Sequence, residues 1–214
     1  MTQHTLPLTP HASRIGILGG SFDPPHYGHL ALAETARVQL HLDGVLFVPA
    51  GEPPHKRNRP LSSAEDRAAM TAAAIADNPA FMLSRVDLDR PGPHYTVDML
   101  TLLRAQYPDI DACFLLLGED SLHDLPLWYN PQGILELAYL AVMPRLSQRV
   151  DLAELTAALP FVATKLVWLD VPLVNLAATD LRRRVSEGLP LRYLVPPSVE
   201  AYIHEHNLYQ RSGE

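Results

Sequence analysis

Short apolar runs alternate along this chain with longer segments whose apolar residues recur at helical spacing. Ile15 to Leu18 is one such run, ending in Gly19 and Gly20. Leu30 to Leu40 follows with a helical pattern, so the first unit reads strand, glycine turn, helix. Val45 to Val48 is a second β-rich run stopped by Pro49, and the three elements make a right-handed βαβ unit, the seed of a parallel sheet. After a proline-rich polar loop from Gly51 to Pro60, Ser62 and Glu65 stand at capping-box spacing for a helix reaching about Asp77. Ala80 to Leu88 reads as a strand and Thr96 to Gln106 as a helix. Cys113 to Leu117 is apolar throughout, as expected for a strand covered on both faces. It runs into a second turn, Gly118 to Ser121. Tyr139 to Met143 and Leu166 to Leu169 are further strands, with a helix over Asp151 to Leu159 between them. Thr179 to Glu187 is helical and stops at Gly188, a natural C′ residue. Pro196, Pro197 and Ser198 open a final helix that frays near Asn207.

This alternation predicts an α/β fold: a doubly wound, Rossmann-like parallel sheet with a small helical C-terminal part. Residues 1–13 read as a leader and 14–210 as a single domain, without internal repeat or linker. In such a sheet ligands bind beyond the carboxyl ends of the strands. The turns Gly19 to His29 and Gly118 to Ser121 both lie there.

Composition narrows the partners. The 214 residues are 47% hydrophobic and 19% charged, ordinary for a soluble globular protein, and the formal net charge is −7. A polyanion-binding protein usually carries a basic face, so no nucleic acid polymer is expected as a partner, while a small anion can still be held by a few local donors. The lone Cys113 permits no intramolecular disulfide and reads as a buried small hydrophobe. Met1 to Ala12 has no apolar signal-peptide core and no later segment approaches a membrane span, so the expected location is cytoplasmic, with no membrane partner.

The first turn carries the chemistry. Gly19 and Gly20 leave the strand without side chains, which allows a ligand to approach closely. Pro24 and Pro25 suit the start of a helix. His26 and His29, three residues apart, share the N-terminal face of that helix, where free N–H groups favour a phosphate. Gly28 between them removes a side chain that would crowd a nucleotide. The turn lacks the G-x-G-x-x-G spacing of a dinucleotide fold, the G-K-[ST] ending of a P-loop and the H-E-x-x-H of a zinc protease. A histidine pair is often structural or a metal site, but phosphate binding is the reading favoured here.

The segment Gly20-Ser-Phe-Asp-Pro-Pro-His-Tyr-Gly-His29 resembles the G-x-F-x-P-x-H-x-G-H motif of the HxGH nucleotidyltransferases, complete at every fixed position. Pro53 to Lys56, His94 to Thr96, Gly118 to Leu122, Leu127 to Tyr129 and Thr179-x-x-Arg182 extend the similarity to the bacterial nicotinate-nucleotide adenylyltransferases. In order and spacing these span about residue 14 to Tyr209, which would make 14–210 one nucleotidyltransferase domain. The resemblance implies adenylyl transfer from ATP to nicotinate mononucleotide, giving deamido-NAD and pyrophosphate, with Mg²⁺ held mainly through the ATP phosphates. It gives His26, His29 and Arg182 catalytic roles. Gly19, Gly20, Ser21, Phe22, Gly118, Asp120 and Thr179 would join them around ATP. His55, Lys56, Thr96, Trp128 and Tyr129 would hold the mononucleotide.

The residue types suit these roles. The acceptor phosphate is already anionic, so neither a protein nucleophile nor a histidine base is needed, and catalysis reduces to positioning and electrostatics. Arg182 sits one turn into its helix, and only one of Arg182, Arg183 and Arg184 can face a given side; the bland alternative is a solvated basic face. Asp120 can accept from a ribose hydroxyl, or cap a helix starting near Ser121, or both. Trp128 can stack on a pyridine or be ordinary core, and backbone N–H groups near Tyr129 and Thr96 would suit a carboxylate. His55 and Lys56 could grip the acceptor phosphate or simply be solvated. One departure stands out: where the family reads Ile-Ser-x-Thr, this chain has Leu176-Ala-Ala-Thr179, so Ala177 lacks a hydroxyl expected to contact phosphate or cap the helix. Rival readings are an acceptor such as nicotinamide mononucleotide or phosphopantetheine, a non-catalytic nucleotide sensor, and a class I tRNA synthetase fragment, against which the acidic balance and the lack of an RNA-binding extension speak.

Overall fold

The apolar run after the leader becomes strand β1, Ser13–Gly20, and the chain then turns into helix α1, Tyr27–Gln39. This is a computed structural model, and it describes residues 13–51, 61–144, 149–172 and 176–210. Strands β2 (Gly44–Pro49), β3 (Phe81–Leu83), β4 (Ile110–Gly118), β5 (Tyr139–Met143) and β6 (Leu166–Trp168) complete one sheet in the order β3-β2-β1-β4-β5-β6. Every pairing is parallel. The order reverses between β1 and β4, the switch point at which a crevice opens beyond the carboxyl ends.

Strand pleating sends alternate residues to two cores. Ile15, Ile17, Leu46, Leu115 and Leu140 face one side, with Leu100 and Leu103 of α3 (Thr96–Gln106) and Ile134 of α5 (Pro131–Leu137). Leu18, Phe47 and Phe114 face the other. There they meet Leu32 of α1, Met70 of α2 (Ala64–Ile75), Leu181 of α8 (Ala178–Ser186) and Val199 of α9 (Pro197–Glu205). Cys113 is buried in the first core, and burial pushes its thiol pKa up. Short helices α4 (Glu119–Asp124), α6 (Leu152–Ala158) and α7 (Val162–Lys165) fill the remaining connections.

Several local expectations are corrected. The cap of α2 is Ser63, not Ser62: the Ser63 hydroxyl accepts from the Asp66 N–H at 3.0 Å and donates to the Asp66 carboxylate at 2.7 Å. Ser62 is used elsewhere, giving its N–H to Asp23 and its carbonyl to Arg67, while Glu65 pairs with Arg85 at 2.7 Å. The strand expected over Ala80 to Leu88 closes after Leu83, because the Arg85 carbonyl takes the N–H groups of Leu88 and Asp89 and turns the chain. Gly118 to Ser121 is not an open turn: Gly118 is itself the N-cap and α4 starts at Glu119, which puts Asp120 inside the first turn rather than before it. Helix α5 was not expected; Asn130, in the left-handed region at φ 47°, accepts the Gly133 N–H at 3.1 Å, and Pro131 fills the first helical position. The chain beyond α9 does not simply fray: it continues in a turn that places Tyr209 against the sheet-side core.

Candidate active site

A cavity of about 630 Å³ lies over the carboxyl ends of β1 and β4, within the usual range for a small-molecule site. Gly19, Gly20, Ser21 and Gly118 line it from the strand ends, and His26, Gly28 and His29 from the start of α1. Thr179 and Arg182 enter from α8, Asp120 from α4, and Thr96, Trp128 and Tyr129 from the opposite wall. All the expected site residues that are described thus meet in one place. His55 and Lys56 lie outside the described residues.

The helix end at α1 differs from the expected bare row of amides. His26 is the N-cap with extended backbone, its N–H donates to His29 Nδ1 at 3.2 Å, and the His29 N–H donates to the His26 carbonyl at 2.9 Å. The Tyr27 N–H is taken by the Leu194 carbonyl at 3.2 Å. These three amides are committed within the protein. The two rings stack with centroids 3.7 Å apart and planes 20° apart. Because His29 Nδ1 accepts, the proton of the neutral ring sits on Nε2, leaving that nitrogen a donor. Phe22, expected at the nucleotide, lines the cavity although the residue is only 1% exposed, and its ring packs edge-on against His29 at 5.0 Å.

Behind this turn lies a buried polar network that the sequence did not announce. Asp23 is fully buried; its carboxylate accepts from Tyr209 Oη at 2.6 Å and from the Ser62 N–H at 3.3 Å. Arg182 Nη1 donates to the Asp23 carbonyl at 2.7 Å and stands 3.8 Å from its carboxylate, while Nη2 reaches Thr179 Oγ1 at 3.4 Å. Its neighbours turn away: Arg183 pairs with Asp180 and Glu187, and Arg184 donates to the Pro190 carbonyl. Arg67, 3% exposed, donates to four carbonyls, those of Ser21, Ala50, Gly51 and Ser62. Burial lowers its pKa and the Asp23 charge opposes that; a guanidinium stays cationic throughout. Burial and the Asp23 carboxylate push the Tyr209 phenol well above its ordinary range, so it remains a neutral donor.

The opposite wall is built differently. Trp128 is half-buried against the first core, so the core reading and the cavity reading are both met. Tyr129 is 57% exposed and stacks on Tyr95 with centroids 4.2 Å apart. Tyr95 in turn is the N-cap of α3, and its carbonyl accepts from Arg90, which is paired with the buried Asp87 at 2.6 Å. The His94 ring lies so close to Gly51 that a Cβ there would collide with it, which locks the strand-β2 exit to the 87–95 loop. Glu119, also buried, accepts the Val150 N–H at 3.0 Å. Ala177 is the N-cap of α8 and offers no side-chain oxygen.

The comparisons with known proteins agree with this arrangement. Residues 17–184 match the family model described as cytidylyltransferase-like. A Thermomicrobium roseum protein named "Probable nicotinate-nucleotide adenylyltransferase" is 52% identical over 198 residues, covering 92% of each chain. A protein of the same name from Roseiflexus sp. strain RS-1 is 46% identical, over 92% of this chain and 98% of its own. The chain belongs to the nicotinate-nucleotide adenylyltransferase family. Its fold matches that of the Plasmodium falciparum nicotinic acid mononucleotide adenylyltransferase complexed with NaAD, with a TM-score of 0.75 at 18% identity over 92% of this chain and 97% of that one.

The residues supporting the site that local reasoning assigned no role are Asp23, Arg67, Tyr95 and Tyr209. Asp23 fills a variable position of the HxGH motif, and its zero exposure is the only mark that sets it apart. Arg67 and Tyr209 carry no local signal, since their partners lie up to 186 residues away in the chain. Among the described residues no group of three or more His, Cys, Asp or Glu side chains could cage a metal ion, and no helix is long and apolar enough to cross a membrane.

Proposed function

We propose that this chain transfers the adenylyl group of ATP to nicotinate mononucleotide, forming nicotinate adenine dinucleotide and pyrophosphate in NAD biosynthesis. The observation that carries the reading is the stacked His26–His29 pair and Arg182 lining one cavity whose far wall is aromatic. The names of the curated relatives support it. The 5′-phosphate oxygen of the mononucleotide attacks the α-phosphorus of ATP in line. The bond from that phosphorus to the α,β-bridging oxygen breaks, and pyrophosphate leaves with the electron pair. His29 Nε2–H donates to the α-phosphoryl oxygens as charge gathers there, with His26 stacked beside it. Arg182, next to the start of α8, holds the β- and γ-phosphates. Gly19, Gly20, Ser21 and the Phe22 backbone let the nucleotide lie close to β1, and Gly118 and Asp120 serve its ribose. Thr96, Trp128 and Tyr129 receive the pyridine ring and its carboxylate, and His55 and Lys56 the acceptor phosphate.

Mg²⁺ belongs to this scheme as a companion of ATP. The scattered carboxylates suit an ion bound chiefly by phosphate oxygens and water, with Asp120 one acidic side chain at hand, while Asp87, which also lines the cavity, is paired with Arg90. When bound, it would neutralise charge on the departing pyrophosphate.

The test is pyrophosphate release with ATP and either nicotinate mononucleotide or nicotinamide mononucleotide, using His26→Ala as the control. The acid is expected to give the higher kcat/KM and the control to lose most activity. Absence of turnover with either acceptor would leave a nucleotide-binding protein without catalysis, and an equally active control would remove His26 from the mechanism.

A further inference from the structure

We propose that Tyr209, on the turn beyond α9, is a positioning residue that keeps Arg182 aimed at the triphosphate by occupying the Asp23 carboxylate. This deepens the adenylyl-transfer reading and rests on it. The chain of contacts is short. Tyr209 donates to Asp23 Oδ1 at 2.6 Å, and Ser62 N–H reaches Oδ2 at 3.3 Å. Arg182 Nη1 stands 3.8 Å from that same Oδ2 while its hydrogen bond goes to the Asp23 backbone carbonyl at 2.7 Å. Asp23 has no exposure to water, and among the described residues its charge is answered by these neighbours and by the field of Arg67. Tyr209 Oη also lies 3.8 Å from Met70 Sδ, and the residue adopts a left-handed backbone at φ 63° to reach this place.

A buried carboxylate that loses a charge-assisted donor must find another. Arg182, already 3.8 Å from Oδ2, needs to move little to close that ion pair into a direct hydrogen bond. That movement takes the guanidinium away from the cavity and from the β- and γ-phosphates. Tyr209 thus acts on catalysis from a site that touches no substrate, and it joins the last described turn of the chain to the HxGH turn near its start.

Tyr209→Phe retains the ring and removes only the hydroxyl. Circular dichroism and the thermal midpoint establish that the variant is folded, and it is assayed well below that midpoint. With ATP and nicotinate mononucleotide, kcat is expected to fall by about tenfold or more, the scale of one hydrogen bond to a charged group, with the KM for the mononucleotide unchanged. The decisive arm is Arg182→Ala with and without Tyr209→Phe. If Tyr209 works through Arg182, the second change adds nothing to the first. Losses that multiply, or a Tyr209→Phe enzyme with unaltered kcat, overturn the proposal. Calorimetric titration with ATP separates it from the activity assignment: in a chain that forms no dinucleotide at all, Tyr209→Phe should still weaken ATP binding when Arg182 is present and leave it unchanged when Arg182 is alanine.

Discussion

His29 and Arg182 are held from behind by buried polar groups, whereas Tyr129, across the cavity, is 57% exposed and leans on Tyr95. The wall proposed for the phosphates combines the turn after β1 with Thr179 and Arg182 of α8, and Asp23 and Arg67 bolt that turn to segments remote in sequence. The acceptor wall is assembled from the start of α3 and the loop before α5, and each contributes one or two side chains. Under the proposed adenylyl transfer, the difference follows from what each wall must do. Stabilising charge on a phosphoryl group in flight requires donors already fixed in direction, because reorientation during the reaction would cost the energy they supply. Recognising a flat ring requires area and a few acceptor-facing amides, which tolerate adjustment.

The contrast can be broken most severely at Arg67. Arg67→Met leaves four carbonyls without their donor and removes one of the two cations whose field reaches Asp23, so stability should fall by about 3–5 kcal/mol, measured by urea unfolding. His29→Ala should leave the fold intact and lower kcat by roughly 10²–10³, the scale of one lost oxyanion donor, with ATP binding changed little. Trp128→Ala tests the other wall: the KM for nicotinate mononucleotide should rise by about three- to tenfold with kcat less affected, on the scale of an aromatic contact. A Trp128 variant that lost kcat as severely as His29→Ala would erase the distinction between the walls.

Ala177→Ser should sharpen the phosphate side. Position 177 is the N-cap of α8, so the hydroxyl can satisfy a helix amide and reach toward phosphate; we expect the KM for ATP to fall by roughly three- to tenfold, the scale of one hydrogen bond. The smallest effect lies outside both walls. Asp66 has its pKa lowered, chiefly by the Ser63 hydroxyl and also by Tyr202 Oη at 3.0 Å, against the opposing effect of burial. A folded-state pKa below the unfolded value gives stability that is present above the unfolded pKa, 3.8, and is lost as pH falls through the folded one. Tyr202→Phe should therefore cost about 0.5–1.5 kcal/mol near neutrality and nothing once Asp66 is protonated in both states, which thermal midpoints at pH 7 and at strongly acidic pH would reveal.

What the chain disclosed in advance follows the range of each interaction. β5 and α3 were legible to the residue because an apolar run and a helical period are local properties. The His26–His29 pair was legible because its chemistry is packed into ten residues. The cap at Ser63 was missed by one residue, since only the tertiary demand of Asp23 for the Ser62 N–H decides between two adjacent serines. The committed amides at the start of α1 depend on Leu194, and the duty of Phe22 depends on burial, so neither could be seen in the motif alone. Tyr209 was invisible for the same reason.

Arg67 holds the carbonyls of Gly51 and Ser62 with a single guanidinium. In the sequence, His55 and Lys56 fall between these two points. Lengthening a tethered stretch costs only about 0.6 kcal/mol for each doubling. Insertions between positions 51 and 62 should therefore leave the Arg67 knot tied.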